Sequence, residues 1–307
     1  MKLIKAEVLG YCMGVRRAVE IAYREAENSR LSAAQRGGPV YTMGPLIHNP
    51  QVLEELRRLG VDSLDEDALP EDLHGAVVII RAHGVTPALE AELVLRGARL
   101  IDATCPKVKA SQMKARALNG AASRIFLAGE RHHAEILGIQ GFAPGCLIVA
   151  NREEAAAVAE TLFRRLGRPS GSDTPVTGLP KTALIAQTTL SPEEYQAIGE
   201  GIAKFFPQVA IFNTICGATR DRQDALKRLC AEVDAVIIVG GRESANTRRL
   251  FAIAQAQGKP AWLVESAADI SGELAGEIAA YPRVGLSAGA STPDGVIEDI
   301  EGAVLAL

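Results

Sequence analysis

Apolar runs of strand length alternate along this chain with amphipathic stretches of helix length. Residues 76–80 (AVVII), 124–128 (RIFLA), 182–186 (TALIA), 235–239 (AVIIV), 261–264 (AWLV) and 283–286 (RVGL) are the clearest strands. Runs this apolar suit strands covered on both faces, and their spacing by helical stretches predicts βα units with parallel sheets. Residues 164–180, RRLGRPSGSDTPVTGLP, carry no periodicity and are rich in turn formers, which predicts a surface loop inside a domain.

The pattern repeats. Three of the five cysteines share one frame, an apolar strand followed by cysteine and a basic helical segment: AEVLGYCMGVRRAVE at Cys12, ARLIDATCPKVKASQ at Cys105 and VAIFNTICGATRDRQ at Cys216. A second frame is strand, glycine, then a polar residue four positions on, giving Gly44 and His48, Gly129 and His133, Gly240 and Ser244. A third ends in proline, RAHGVTP, AQTTLSP and SAGASTP, with His83, Thr188 and Gly289 at matching offsets. The frames recur in one order, so the expected fold is α/β: three similar units with mainly parallel sheets, at 1–99, 100–193 and 194–307. Each contains one of the three cysteines.

Ligands of open α/β sheets bind at the carboxyl ends of the strands. Three units facing a common pseudo-threefold axis would bring all nine loops together around a central site of three thiols ringed by histidines, hydroxyls and an amide. A cysteine that opens a helix, near Arg16, Lys107 or Arg220, sits where an anionic thiolate is favoured. Zinc on three cysteines normally recruits a histidine close in sequence, and none lies within four residues of these three. An iron–sulfur cubane with one iron not held by cysteine fits better, with three merely buried cysteines as the remaining alternative. Cys146 and Cys230 lack the frame and read as buried apolar residues.

His48, His83 and His133 fall in repeat frames at strand ends and can offer N–H groups to phosphate oxygens at helix N-termini. His74 reads as a surface histidine, and His132 as pointing away from its neighbour. Glu135, two residues after His133, reads either as a proton donor or as an acid that complements the helix dipole. Thr188 and Thr189 precede Ser191-Pro192-Glu193-Glu194, an N-cap signature with Ser191 as the cap, so the strand-end hydroxyls are expected to point at the site rather than serve as the cap.

Composition narrows the partners. The 307 residues are 48% hydrophobic and 23% charged with only 4% aromatic, so aliphatic side chains fill the core, and a small disulfide scaffold is excluded. A net charge of −4 speaks against nucleic acid as partner. The amino-terminal MKLIKAE has no apolar signal-like run and no stretch is long enough to span a membrane, which leads one to expect a cytoplasmic protein. Neither GxxxxGK[ST] nor GxGxxG occurs, so the standard nucleotide loops are missing.

The ordered motifs GYCMGVRRAVE, GPLIHNPQV, RAHGV, DATCPKV, HAE in GERHHAEILG, QTTLS, ESAN and AGASTPD resemble the 4-hydroxy-3-methylbut-2-enyl diphosphate reductase family over nearly the whole chain. The resemblance implies a [4Fe-4S] cluster on Cys12, Cys105 and Cys216. It also implies a diphosphate pocket of His48, His83, His133, Ser244, Asn246 and Ser291, with Glu135 as proton source and Thr188 orienting the substrate hydroxyl. The reaction implied is the two-electron reductive dehydroxylation that ends the methylerythritol phosphate route to isoprenoids and yields isopentenyl and dimethylallyl diphosphate. With no flavin or nicotinamide loop in the chain, electrons would come from a reduced ferredoxin or flavodoxin. Two positions depart from the family pattern: Ala134 stands where proline is usual, and Ala245 where a second serine often precedes the asparagine. Two other classes share parts of this reading: an iron–sulfur hydro-lyase, which would need no reductant, and a non-enzymatic iron–sulfur sensor, which would need a partner-binding surface.

Overall fold

The computed structural model describes residues 1–32, 38–121, 123–166 and 180–307, so most of the loop expected at 164–180 lies outside the described residues. In chain order, β1 is Lys2–Lys5, α1 Met13–Ser32, β2 Val40–Met43, α2 Pro50–Arg58, β3 Val61–Leu64, β4 Val77–Ile80, α3 Pro87–Leu95 and β5 Arg99–Asp102. Then come α4 (Pro106–Gly120), β6 (Arg124–Ala128), α5 (Ala134–Phe142), β7 (Leu147–Val149), α6 (Arg152–Arg165), β8 (Thr182–Ala186), α7 (Pro192–Ala203) and β9 (Ala210–Ile211). The last third holds α8 (Gly217–Glu232), β10 (Ala235–Val239), α9 (Ala245–Ala256), β11 (Ala261–Val264), α10 (Gly272–Ala279), β12 (Arg283–Ala288) and α11 (Asp294–Leu305).

The strands form three four-stranded sheets, in the orders β3-β2-β4-β5, β7-β6-β8-β9 and β11-β10-β12-β1. Every pairing is parallel; β6 and β8, for example, run in register from Arg124 opposite Thr182 to Ala128 opposite Ala186. This is one topology written three times, and the chain completes its third copy by returning β1 from the amino terminus. The repeat frames divide the chain at 99/100 and 193/194, whereas sheet membership gives β1 to the sheet of β10–β12 and β9 to that of β6–β8. The expectation of three parallel-sheet α/β modules is met.

The apolar runs explain the central strands. All five residues of β8 and of β10 are buried, as both faces of a parallel strand must be when helices cover them. Edge strand β3, VDSL, buries only its terminal residues, and its polar middle hid it from an apolar-run reading. Helices start where side chains satisfy the free N–H groups of a first turn: Asn49 caps α2, Asn151 caps α6, and Ser191 with Glu194 forms a capping box on α7.

The described residues fall into two compact units. The first is Met1–Ala82, Arg96–Ala103 and Gly217–Leu307, with two of the sheets; the second is His83–Leu95 and Thr104–Cys216, with the sheet of β6–β9. Phe126, Leu184, Ile198 and Phe206 centre the core of the second. In the first, one core gathers around Ile79, Val40 and Leu56 and another around Ile237, Leu286 and Ile300. Burying each such side chain is worth roughly 1.5–3 kcal/mol.

Candidate active site

In each sheet the chain runs outward from the first central strand and then returns to its other side, so strand order reverses between β2 and β4, β6 and β8, and β10 and β12. Ligand crevices of open α/β sheets form at such reversals. The loops leaving these six strands carry His48, His83, His133, Thr188, Ser244 and Ser291, and the first turns of the helices that follow carry Glu135 and Asn246. The fourth strand of each sheet, β5, β9 or β1, leads to Cys105, Cys216 or Cys12, and each cysteine immediately precedes a helix.

In the second unit, Gly129 turns the chain out of β6 at φ 155°, where an added Cβ would lie 2.5 Å from Ile136 Cδ1 and 2.7 Å from Gln187 Oε1. Glycine is therefore required there. His133 caps α5: its Nδ1 accepts the Glu135 backbone N–H at 3.2 Å. That nitrogen carries no proton, so the neutral ring keeps its N–H on Nε2 and can donate outward. The ring meets that of His83 edge-on, 5.3 Å between centroids.

Glu135 is only 2% exposed. Thr188 holds both its carboxyl oxygens, through its backbone N–H to Oε1 at 2.6 Å and its hydroxyl to Oε2 at 2.9 Å. Burial pushes the Glu135 carboxyl up to about 7, and the two hydrogen bonds from Thr188 oppose that rise. An acid serving only a helix dipole would be exposed; this one is enclosed, and burial raises its carboxyl toward neutrality. The carbonyl of Thr188 in turn accepts the backbone N–H of Cys216 at 2.9 Å. Gln187, which the motifs did not single out, is buried beside this site, takes the Glu130 N–H on Oε1 at 2.9 Å and donates from Nε2 to Thr189 Oγ1 at 3.0 Å.

The first unit carries a second group. Ser244 caps α9, accepting the Thr247 N–H, and Ser291 donates from Oγ to the His48 carbonyl at 3.2 Å. The same carbonyl presses on Gly241, where an added Cβ would come within 2.4 Å of it. His48, Ser291 and the start of α9 are thus brought together. Asn246, 5% exposed, has its amide nitrogen and oxygen enclosed without a hydrogen-bond partner. Leaving a buried polar group unpaired costs roughly 1–3 kcal/mol, and a ligand that supplies both a donor and an acceptor would recover it. The backbone N–H of Cys12 donates to the Ala290 carbonyl at 3.2 Å, one residue before Ser291.

The cysteine side chains also fit a metal-bound role. All five are free thiols, with Cys12, Cys105 and Cys216 half-buried. Cys105 occupies the N-cap position of α4 without making a side-chain capping bond. None of α1, α4 and α8 has an acid in its first turn, so nothing there opposes an anionic sulfur. Burial instead raises the Cys146 thiol to about 11 and raises that of Cys230, as befits inert thiols. His74 is exposed and pairs with Asp72, and His132 is exposed beside half-buried His133. Ala134 is the first residue of α5, where alanine serves as well as proline, and the His133 cap already fixes the loop that aims Glu135. Ala245 is buried at the first position of α9 and adds no hydroxyl.

Arg222 lies within the Cys216 frame but was not singled out. It lies on the buried face of α8 with Thr219, Gln223 and Leu226, and a basic residue at that helical phase was the available signal.

Comparison with known proteins places the chain in a family. The family profile described as LytB protein matches residues 3–304. The 4-hydroxy-3-methylbut-2-enyl diphosphate reductase of Treponema denticola is 44% identical over 304 residues, 98% of each chain. That of Aquifex aeolicus is 37% identical over 299 residues, covering 97% of this chain and 94% of the relative. A solved structure of (E)-4-hydroxy-3-methyl-but-2-enyl diphosphate reductase, described as the terminal enzyme of the non-mevalonate pathway, matches with a TM-score of 0.65 at 34% identity over the full length of both chains. The E-1-hydroxy-2-methyl-but-2-enyl-4-diphosphate reductase structure from Plasmodium falciparum gives a TM-score of 0.82 at 26% identity, covering 98% of this chain and 87% of that one. With the profile spanning nearly every residue and relatives this similar over their whole length, the chain belongs to the LytB family.

Proposed function

We propose that the chain reduces 4-hydroxy-3-methylbut-2-enyl diphosphate, the reaction for which its relatives are named, as the terminal step of the non-mevalonate route to isoprenoids. The overall change is R–OH + 2e⁻ + 2H⁺ → R–H + H₂O, with the new C–H bond at either end of the allyl unit giving isopentenyl or dimethylallyl diphosphate. Cys12, Cys105 and Cys216 hold an iron–sulfur cluster, a [4Fe-4S] cubane with one iron free of protein ligands; when bound it supplies a Lewis acid and a one-electron relay.

One observation carries this reading: Thr188 binds Glu135 through its amide and hydroxyl and Cys216 through its carbonyl. A carboxyl whose pKa burial raises toward neutrality and a thiol proposed as a ligand are therefore anchored on one residue. When protonated on Oε2, Glu135 donates to Thr188 Oγ1, whose own proton turns outward to the substrate hydroxyl; the departing oxygen leaves as water. His133 Nε2–H, His48, His83, Ser244, Asn246 and Ser291 bind the diphosphate as neutral donors, so the pocket needs no lysine or arginine. The electrons come from a separate reduced protein, a ferredoxin or flavodoxin.

Iron and sulfide content, with electron paramagnetic resonance of protein purified without oxygen, tests the reading together with an anaerobic assay with and without reductant. Cluster-loaded protein that forms both products only when reductant is present is the expected result. Absence of iron, or turnover of the substrate without electrons, would overturn it.

A further inference from the structure

We infer that Arg222 is a positioning residue that sets the loop carrying Cys12, an inference that rests on Cys12 being a metal ligand. Arg222 is 2% exposed. Its Nη2 donates to the Gly10 carbonyl at 2.7 Å, and its Nη1 to the Ala218 carbonyl at 3.2 Å. Gly10 lies two residues before Cys12, and Ala218 two residues after Cys216 in the chain. One rigid guanidinium thus joins the approach to one proposed ligand to the helix that opens after another. A planar fork holds two carbonyls at fixed, separated positions, a geometry that the compact ammonium of lysine on its flexible stem does not reproduce.

The opposite side of the loop is fixed as well. Gly10 adopts φ 76°, and an added Cβ would stand 3.1 Å from Ile297 Cδ1 and 3.2 Å from Asp294 Oδ1 of α11. Cys12 itself is tied by its N–H to the Ala290 carbonyl. Gly10 is therefore held between α11 and Arg222, and the Arg222 hydrogen bond is the polar half of that clamp. Burying a guanidinium is costly when only a structural link is needed. The two carbonyl partners of Arg222 offset that cost.

The test begins with the metal-free protein. Alkylation of Cys12 by iodoacetamide, followed by peptide mass and normalised to Cys105 in the same sample, should accelerate about tenfold or more in Arg222→Gln, the factor for losing one hydrogen bond to a charged group. Cys105 should stay near its wild-type rate. In reconstituted protein the same variant should hold less iron and give a shifted resonance spectrum while its circular dichroism is native. Arg222→Lys should resemble Arg222→Gln, and full rescue by lysine would overturn the two-carbonyl role. Should Arg222→Gln fail to fold, Gly10→Ala, which keeps the arginine and displaces the carbonyl, must show the same selective acceleration at Cys12. An unchanged Cys12 rate and spectrum in a folded variant would sink the inference. Wild-type protein that takes up no iron would instead sink the assignment of Cys12 as a ligand.

Discussion

Helices α7 and α4 both belong to the second unit, both follow a strand and a short loop, and both have proline at their first position, yet they begin in different ways. At α7, Ser191 accepts the Glu194 N–H, Glu194 reaches back to the Ser191 N–H, and Glu193 and Glu194 complement the helix dipole. At α4, Cys105 occupies the cap position, makes no capping bond, and is followed by no acid in the first turn. The α7 start is satisfied by its own sequence. The α4 start has no such side-chain cap. Helix α5 is intermediate, because His133 caps it and Glu135 lies in its first turn, but the carboxyl is turned inward to Thr188 and buried. Within this unit, the α7 start spends its side chains on its own helix, whereas the α4 and α5 starts carry the residues assigned to the site.

Exchanging cysteine for serine breaks this contrast most directly. Serine is a better N-cap than cysteine. Cys105→Ser should therefore leave the metal-free protein as stable as wild type or more so, while removing the cluster absorption and all activity. Cys12→Ser and Cys216→Ser should likewise abolish both, and Cys146→Ser and Cys230→Ser should spare them. Iron content together with the melting temperature of the metal-free form reads both signs. Loss of iron in Cys146→Ser or Cys230→Ser would show that the shared frame misidentified the ligands.

Glu135 sharpens the intermediate case. General acid catalysis is worth about 10²- to 10⁴-fold, so Glu135→Gln should lose turnover by that factor with cluster and substrate affinity retained. Its pKa also leaves a mark on stability. The carboxyl is raised from 4.5 to about 7 in the folded chain, so between those values the folded state keeps a proton that the unfolded state has released. Stability should fall as pH rises through that window and level off above it, and Glu135→Gln should remove the dependence. A variant that turns over within a few-fold of wild type would return Glu135 to the role that Glu194 plays on α7.

Much of this was legible from the sequence. The apolar runs located the buried central strands, because a strand covered on both faces has no polar face to confuse the pattern. The cysteine, glycine and proline frames located the loops, because each turn demands a particular residue: glycine where φ is positive after β6 and β10, and proline at or just before the first helical position of α3, α7 and α11. Strand β3 escaped notice because an edge strand can be polar, whereas the Cys216 frame did mark the strand that is β9, only two residues long. The return of β1 to the sheet of β10–β12 was also invisible, since a pairing between residues 2–5 and 283–286 leaves no local signal. Arg222 and Gln187 were missed because a buried polar residue is recognised by its partners, which lie far away in sequence.

The diphosphate pocket gives a smaller effect. Hydrogen bonds to a charged group are worth ~1.5–3 kcal/mol, so Asn246→Ala or His83→Ala alone should weaken substrate or pyrophosphate binding roughly 10- to 150-fold. Because the Asn246 amide is buried without a partner, its removal should also leave the ligand-free protein no less stable. Calorimetric titration and thermal melting measure the two effects separately. Unchanged affinity in the double variant would remove these residues from the pocket.

Ser191→Ala should have the smallest effect, and it tests the structural side of the contrast. The variant loses the hydroxyl that accepts the Glu194 N–H at 3.2 Å and donates to Glu194 Oε2 at 2.7 Å. Loss of an N-cap costs ~1 kcal/mol, a decrease in melting temperature on the order of a few degrees. Turnover and iron content should not move, although Ser191 lies only three residues beyond Thr188 in the same loop. The reason is that Thr188 is held by Glu135 and Cys216, and Ser191 by its own helix, so the two sets of hydrogen bonds share no partner and their effects should add. If Ser191→Ala instead lowered turnover as strongly as it lowered stability, the α7 start would be coupled to the site through the intervening loop. The α7 start would then no longer stand apart from those of α4 and α5.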